Sequence, residues 1–278
     1  MTGHATFPQD RLFLIAGPCV IESDEILFRV ADHLAKLAPR VPGGIIFKAS
    51  FDKANRSNAG AFRGPGIEEG LRALERVRER TGLPVLTDVH LPEQCAMVAE
   101  AVDVLQIPAF LCRQTDLLEA AGATGAAVNV KKGQWMHPEG MAGAVKKVRA
   151  SYPPALVRTE GACEVAVTER GTFLGYGDLV VDMRSFSRMR QACDAPVIFD
   201  ATHSVQQPGR GDGGASGGLR EHIPALLKAA CAAGIDGMFI ETHPTPDKAP
   251  SDGPNMLPLH DLDALVTKCV AIWELARS

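Results

Sequence analysis

Short apolar runs of Val, Ile, Leu and Phe recur along the chain and alternate with longer stretches in which apolar residues return every three or four positions. The short runs suit buried strands of a parallel sheet, and the longer stretches suit helices laid against it. The predicted strands are Leu12–Ala16, Gly44–Lys48, Pro84–Val89, Val102–Ile107, Ala127–Val130, Glu164–Thr168, Pro196–Ala201 and Gly237–Thr242. Helical patterns fill the gaps. Ser23 stands as an N-cap before Asp24, Gly66–Arg80 carries Ile67, Leu71, Leu74 and Val77 at helical spacing, and Leu259–Ala276 supplies the last helix. Eight such units predict an α/β fold, a (β/α)8 TIM barrel. The chain is read as a single domain over residues 1–278, with 1–10 as an N-terminal extension.

A doubly wound open sheet would share this alternation, so the strand count alone does not decide. Lys48, Asp88, Gln106, Lys131, Glu169, Asp200 and Glu241 each lie at or just after the C-terminal end of a different run. That end is where barrel enzymes keep their active sites, whereas an open sheet concentrates ligands at one switch point. No Rossmann or Walker glycine pattern is present.

Composition narrows the function classes. A net charge of -4 with no basic run leaves no electrostatic footprint for nucleic acid or an anionic membrane. Seven cysteines, without close pairing, fit reduced thiols in the cytoplasm better than a disulfide framework. The first ten residues have no apolar core of a signal peptide, and no apolar run approaches the length of a bilayer span.

Candidate chemistry gathers at the strand ends. Cys19, His203, Glu241 and Asp252 follow runs that closure would bring side by side, and together they could bind one divalent metal ion. A thiolate, an imidazole and two carboxylates suit Zn²⁺, Fe²⁺, Mn²⁺ or Co²⁺ without choosing among them. Lys48, Lys53 and Arg56 crowd the loop after the second strand, and Arg113, Lys131, Lys132 and Arg170 follow the fourth, fifth and sixth. Such cations, ringed around one pocket, would hold a charge-dense substrate such as a phosphorylated carboxylic acid. His90 and His243 could carry protons or be hydrogen-bonded loop residues. Cys95, Cys163, Cys193, Cys231 and Cys269 read as packing residues. The glycine-rich stretch within 207–218 reads as a mobile active-site loop.

The runs Ala16-Gly-Pro-Cys-Val-Ile-Glu-Ser23, Lys48-Ala-Ser-Phe-Asp-Lys-Ala-Asn-Arg-Ser57, Gln106-Ile-Pro-Ala-Phe-Leu-Cys-Arg-Gln-Thr-Asp116, Asn129-Val-Lys-Lys-Gly-Gln134, Asp200-Ala-Thr-His-Ser-Val-Gln206 and Ile240-Glu-Thr-His-Pro244 together resemble the 3-deoxy-D-manno-octulosonate 8-phosphate synthase family, in the family's order. The resemblance implies a cytoplasmic barrel enzyme, usually a homotetramer. It condenses phosphoenolpyruvate with D-arabinose 5-phosphate and water, releasing phosphate and an eight-carbon sugar acid for lipopolysaccharide. Carried over residue by residue, Lys48, Lys53, Lys131, Arg170 and the backbone of Ala109 would hold phosphoenolpyruvate. Asn55, Arg56 and Ser57 would hold the aldose phosphate, and Asp88 and Gln106 would lie close to the reacting groups. Arg113 would reach a neighbouring subunit's site. Cysteine at position 19 is similar to the metal-dependent branch, where a metal-independent branch has asparagine; His203, Glu241 and Asp252 would be the other ligands. The related enzyme using erythrose 4-phosphate typically carries Lys-Pro-Arg-Thr where Lys53-Ala-Asn-Arg56 stands here. A non-catalytic phosphosugar-binding barrel is the remaining alternative.

Overall fold

The computed structural model describes residues 7–55, 60–154, 162–173, 177–211 and 217–277. Its centre is a ring of parallel strands: β1 (Phe13–Gly17), β2 (Ile45–Lys48), β3 (Val85–Asp88), β4 (Val104–Ile107), β5 (Ala127–Lys131), β6 (Val165–Glu169), β7 (Val197–Asp200) and β8 (Gly237–His243). Each pairs in parallel with the next, and β8 pairs with β1 through Gly237↔Phe13 to Glu241↔Gly17. The sheet therefore closes and has no free edge, which settles the barrel against the open sheet.

Helices α1 (Asp24–Leu37), α2 (Ile67–Thr81), α3 (Pro92–Ala101), α4 (Thr115–Ala123), α5 (Ala142–Ser151), α6 (Arg184–Cys193), α7 (Ile223–Ala232) and α8 (Leu259–Arg277) form the outer ring. Ser23 caps α1 by accepting from the Ile26 N–H at 3.3 Å. On α2, Leu71, Leu74 and Val77 face inward as their spacing predicts, and Gly82 ends the helix at a φ of 70°.

Strand alternation divides the core in two. Outward residues such as Leu14, Phe47, Val128 and Phe199 join the helix faces in the larger cluster. Inward residues Phe13, Ile15, Ile46, Leu86, Val104, Ala127, Ala166, Ile198 and Phe239 fill the barrel itself, with Phe7 beside them. Phe7 and Pro8, in the stretch expected as an extension, pair antiparallel with Cys163 and Ala162, and the fully buried Phe7 ring lies 5.7 Å from Phe13. A barrel base lined by apolar side chains exposes them to water until something covers it, and Phe7 does so.

Two predicted strands shift by one residue. β1 extends to Gly17 in place of Leu12, and β6 runs to Glu169 while Glu164 turns to Arg149 of α5 at 3.1 Å. The stretch 207–218 is anchored at both feet, Gln206 and Gln207 pairing with Gly218 and Gly217; residues 212–216 lie outside the described residues.

Phe239 is the inward residue of β8 at the top of the apolar layer, 1% exposed. Phe239→Ala is expected to destabilise the barrel by about 3 to 5 kcal/mol, seen as a fall in the urea midpoint; an unchanged midpoint would show that this layer does not hold the fold.

Candidate active site

One pleat above the apolar layer, the inward positions turn polar. Lys48, Asp88, Gln106, Asn129, Thr168, Asp200 and Glu241 stand there, with Lys131 one inward step beyond Asn129, all buried. Buried polar groups must find partners, and on one side of the mouth they find them strand to strand. Thr168 Oγ1 donates to Asn129 Oδ1 at 2.7 Å, Asn129 Nδ2 to Gln106 Oε1 at 2.9 Å, and Gln106 Nε2 to Asp88 Oδ1 at 2.5 Å. Ser50 Oγ donates to the other Asp88 oxygen. An ionised carboxylate only accepts, so Asp88 fixes which way each amide turns. Burial alone would raise the Asp88 pKa. Lys53, 3.7 Å away, and Lys48 outweigh that and hold it well below the usual carboxylate range.

Across the mouth, Lys131 Nζ donates to Asp200 Oδ2 and lies 3.6 Å from the centre of the Phe239 ring. Asp200 also accepts from His203, at its Nδ1–H (2.7 Å) and its backbone N–H (2.9 Å). Burial opposes ionisation of Asp200, but His203 and Lys131 prevail and keep its pKa below the ordinary range. For Lys131 the balance goes the other way: burial lowers the ammonium pKa despite Asp200 and Glu241. Arg170, also buried and lowered by burial, donates through Nη2 to Gln206 Oε1 at 2.5 Å; its Nη1 has no partner among the described residues.

Where β8 closes on β1, ligand-type atoms of Cys19, Glu241 and Asp252 lie within 4.8 Å of one another. Lys48 Nζ pins both sides of this seam, donating to Glu241 Oε1 at 2.5 Å and to the Cys19 carbonyl at 2.8 Å. The Cys19 thiol lies 3.0 Å from Ser251 Oγ and donates to Asp252 Oδ2 at 3.2 Å. Burial, with Glu241 and Asp252 acting against Lys53 and Lys48, pushes its pKa far up. Glu241 Oε2 is buried without a hydrogen-bond partner among the described residues, and His203 Nε2 is 3.7 Å from it. With Nδ1 tied to Asp200, the His203 ring turns Nε2 toward the cluster, the orientation in which imidazole ligates metals. Converging acidic donors and an orphaned carboxylate oxygen fit a divalent cation. Asp252 holds its place at a φ of 52°, which aspartate tolerates better than most residues.

The structure gathers Cys19, Lys48, Lys53, Asp88, Gln106, Lys131, Arg170, His203, Glu241 and Asp252 at this mouth. Ala109 opens a short 3-10 turn after β4. Asn55 is exposed on the loop after β2, and Arg56 and Ser57 lie outside the described residues. Two cations expected in the ring leave it. Lys132, one residue after inward-facing Lys131, points to the opposite side of β5, where its Nζ lies 3.3 Å from Glu169 and donates to the carbonyls of Gly133, Met136 and Gly171. Glu169 faces outward with it and accepts from the Arg170 and Gly171 N–H groups. Arg113 is exposed, so a single barrel does not bring it to the pocket. Cys95, Cys193, Cys231 and Cys269 are buried packing residues as expected; the Cys163 side chain lies outside the described residues. His90 meets the Phe51 ring edge-on at 5.8 Å, and burial lowers its pKa.

Sequence reasoning assigned no role to Ser50, Asn129, Thr168, Gln206 and Ser251. Gln206 joins the two halves, accepting from Arg170 and donating to Asp252 Oδ1 at 3.2 Å. The period of two from Ile46 to Lys48 or Ala127 to Asn129 was a readable signal for the strand residues; Ser251 carried none.

Residues 6–276 match the DAHP synthetase I family. Over 277 residues the chain is 54% identical to the 2-dehydro-3-deoxyphosphooctonate aldolase of Nitrobacter hamburgensis, covering 99% of this chain and 93% of that protein. The protein of the same name from Bradyrhizobium diazoefficiens is 52% identical, with 99% and 95% covered, and that from Nitratidesulfovibrio vulgaris is 53% identical, with 95% and 93% covered. With such identity along nearly its whole length, the chain belongs to the 2-dehydro-3-deoxyphosphooctonate aldolases, a branch of the DAHP synthetase I family.

Proposed function

We propose that the protein condenses phosphoenolpyruvate with D-arabinose 5-phosphate and water, giving 3-deoxy-D-manno-octulosonate 8-phosphate and inorganic phosphate. One observation carries the reading: in a chain 54% identical to proteins named for this product, Lys48, Lys53, Lys131 and Arg170 converge on one mouth, with Arg170 Nη1 unpaired. Lys48, Lys53 and Lys131 already face Glu241, Asp88 and Asp200, whereas the buried Arg170 Nη1 is left without a partner among the described residues, and an anion would supply one. The relatives' name does not favour the alternative use of erythrose 4-phosphate, and a purely binding barrel would leave the polar belt and the donor cluster without purpose.

C3 of the enol forms a bond to the aldehyde carbon, water adds at C2, and the phosphate departs with cleavage of its C–O bond. Lys131 and Arg170 are suited to hold the carboxylate and phosphate of phosphoenolpyruvate, because both are desolvated donors fixed by Asp200 and Gln206. Lys53 and Asp88 meet beside them, where a salt-bridged carboxylate held ionised by Lys53 and oriented by Ser50 and Gln106 can accept a hydrogen bond from a substrate hydroxyl and orient it. Asn55, Arg56 and Ser57 on the neighbouring loop are the aldose-phosphate candidates. Holding two phosphorylated reactants in line removes much of the entropic barrier, and prepositioned cations stabilise the charge that shifts.

Cys19, His203, Glu241 and Asp252 would hold one divalent ion, Zn²⁺, Fe²⁺, Mn²⁺ or Co²⁺, supplying Lewis acidity and a template for oxygen ligands. Asp200 keeps the His203 Nδ1 proton in place, and Lys48 holds Glu241 and the Cys19 carbonyl together. The segment 207–218 is read as the closing loop, supported by Gln206 at its root touching both Arg170 and Asp252.

The reading extends to one catalytic domain over 1–278 and a homotetramer. Phe110 and Trp135 stack 5.6 Å apart on the surface, 51% and 47% exposed, with Phe173 also exposed and Arg113 on the same loop as Phe110. An exposed aromatic patch of this kind suits a subunit contact, and such a contact would carry Arg113 toward a neighbour's mouth. A cytoplasmic place is supported by buried free thiols, and no helix among the described residues is long and apolar enough to cross a membrane.

Phosphate release from phosphoenolpyruvate is expected to be at least about a hundredfold more efficient with D-arabinose 5-phosphate than with erythrose 4-phosphate; equal efficiencies would overturn the assignment. Exhaustive chelation should abolish activity, and Mn²⁺, Fe²⁺, Co²⁺ or Zn²⁺ should restore it to differing extents. Full activity after metal analysis confirms removal would refute the metal requirement. Trp135→Glu should shift the mass measured by light scattering below that of the wild type; an unchanged mass would place the subunit contact elsewhere.

A further inference from the structure

Cys19 lies on an arch with both feet on β8. The first foot is Gly17, paired with Glu241 in the β1–β8 ladder. The second is Glu22, whose Oε1 lies 2.6 Å from His243 Nε2, with side-chain exposures of 17% and 5%. His243 stands two residues beyond Glu241, so both side chains leave the same face of β8. A further bond settles the tautomer. The Thr245 N–H donates to His243 Nδ1 at 2.9 Å, so that nitrogen carries no proton and Nε2 is the donor to Glu22.

We propose that the Glu22–His243 hydrogen bond is a brace that sets the position of Cys19, which makes both of them positioning residues for the divalent-metal site. The inference rests on the reading of Cys19, His203, Glu241 and Asp252 as ligands. Cys19 and Asp252 come from loops 233 positions apart, and metal–ligand distances tolerate an error of only about 0.2 Å. Without the brace, the arch beyond Cys19 is fastened by the Val20–Ser50 bridge and by the Ile21 N–H on the Ser50 carbonyl at 3.0 Å. Those bonds tie it to the β2 side of the mouth, away from the strand and loop that carry Glu241 and Asp252. Among the described residues, the brace is the side-chain hydrogen bond that fastens the arch between Cys19 and α1 to the ligand side. Because it is a bond from a neutral imidazole, it needs an acceptor oxygen at position 22 and no charge there.

The test is a titration of the metal-stripped full chain with Co²⁺ alone, following the thiolate-to-cobalt charge-transfer absorption. Wild type should develop a band that Cys19→Ala abolishes. Glu22→Ala and His243→Ala should each weaken Co²⁺ binding about tenfold at an unchanged melting temperature, and the double variant should lose no more than either single one. Glu22→Gln, which keeps the acceptor, should bind as wild type. Absence of a Cys19-dependent band in wild type would sink the metal reading and the brace with it. Wild-type affinity in Glu22→Ala, or equal loss in Glu22→Gln, would sink the brace and leave the metal reading standing. If the alanine variants do not fold, His243→Gln decides: it keeps an N–H near Nε2, and a folded protein that retains affinity supports the brace while one that loses it refutes it.

Discussion

Lys48 and Glu241 stand on strands separated by β1, and they meet at 2.5 Å because the β1 position between them is Gly17. A Cβ there would run into the backbone carbonyl of Lys48, so only glycine lets β1 and β2 approach so closely. The ammonium and the carboxylate are each 1% exposed. Removing one member of such a buried pair costs about 3 to 5 kcal/mol, because its partner is left as an uncompensated charge. Lys48 also holds the Cys19 carbonyl, so the same contact that joins β2 to β8 sets the height of the thiol over the barrel. The position of the donor cluster, the shape of the seam and the closure of the sheet therefore share one cause.

Elsewhere the mouth is balanced without being neutralised. Asp88 is held ionised by Lys53, and Asp200 by His203 and Lys131, against the cost of burial, and Phe239 lies under Lys131 as a polarisable floor. Among the charged side chains of the mouth in the described residues, Arg170 Nη1 on the cationic side and Glu241 Oε2 on the anionic side keep no hydrogen-bond partner. In a pocket organised only for stability both would be paired. The first is suited to an anion and the second to a cation, and Gln206 touches both neighbourhoods, which ties Arg170 to Asp252 through a single amide.

Much of this was legible in the sequence because strands write their inward face with a period of two. Ile46 then Lys48, Leu86 then Asp88, Ile198 then Asp200 and Phe239 then Glu241 each step from the apolar layer to the polar one, and a (β/α)8 TIM barrel with its site at that end follows. The proximity of Cys19, His203, Glu241 and Asp252 was legible for a different reason, since closure of the barrel sets the ends of adjacent strands side by side. Less could be read where tertiary contacts decide. Phe7 is an ordinary residue in an unpatterned segment until the barrel base needs cover, and Ser251 matters only once the fold sets its Oγ against the Cys19 thiol, 232 positions away. Gln206 is one polar residue among several until the chain folds back over Arg170.

Lys131 and Lys132 make the same point most sharply, because residue type and neighbourhood are identical and the roles are not. Counting cations after β5 put both in the pocket. The pleat sends Lys131 inward to Asp200 and Lys132 outward to Glu169 and the carbonyls of the turns behind it. Lys132 is fully buried, so its charge is justified by the backbone it ties together: Glu169, its partner, receives the Arg170 and Gly171 N–H groups and thereby fixes the turn from which Arg170 reaches the mouth. The placement of Arg170 at the mouth thus depends on a structural cation on the outer face of the barrel.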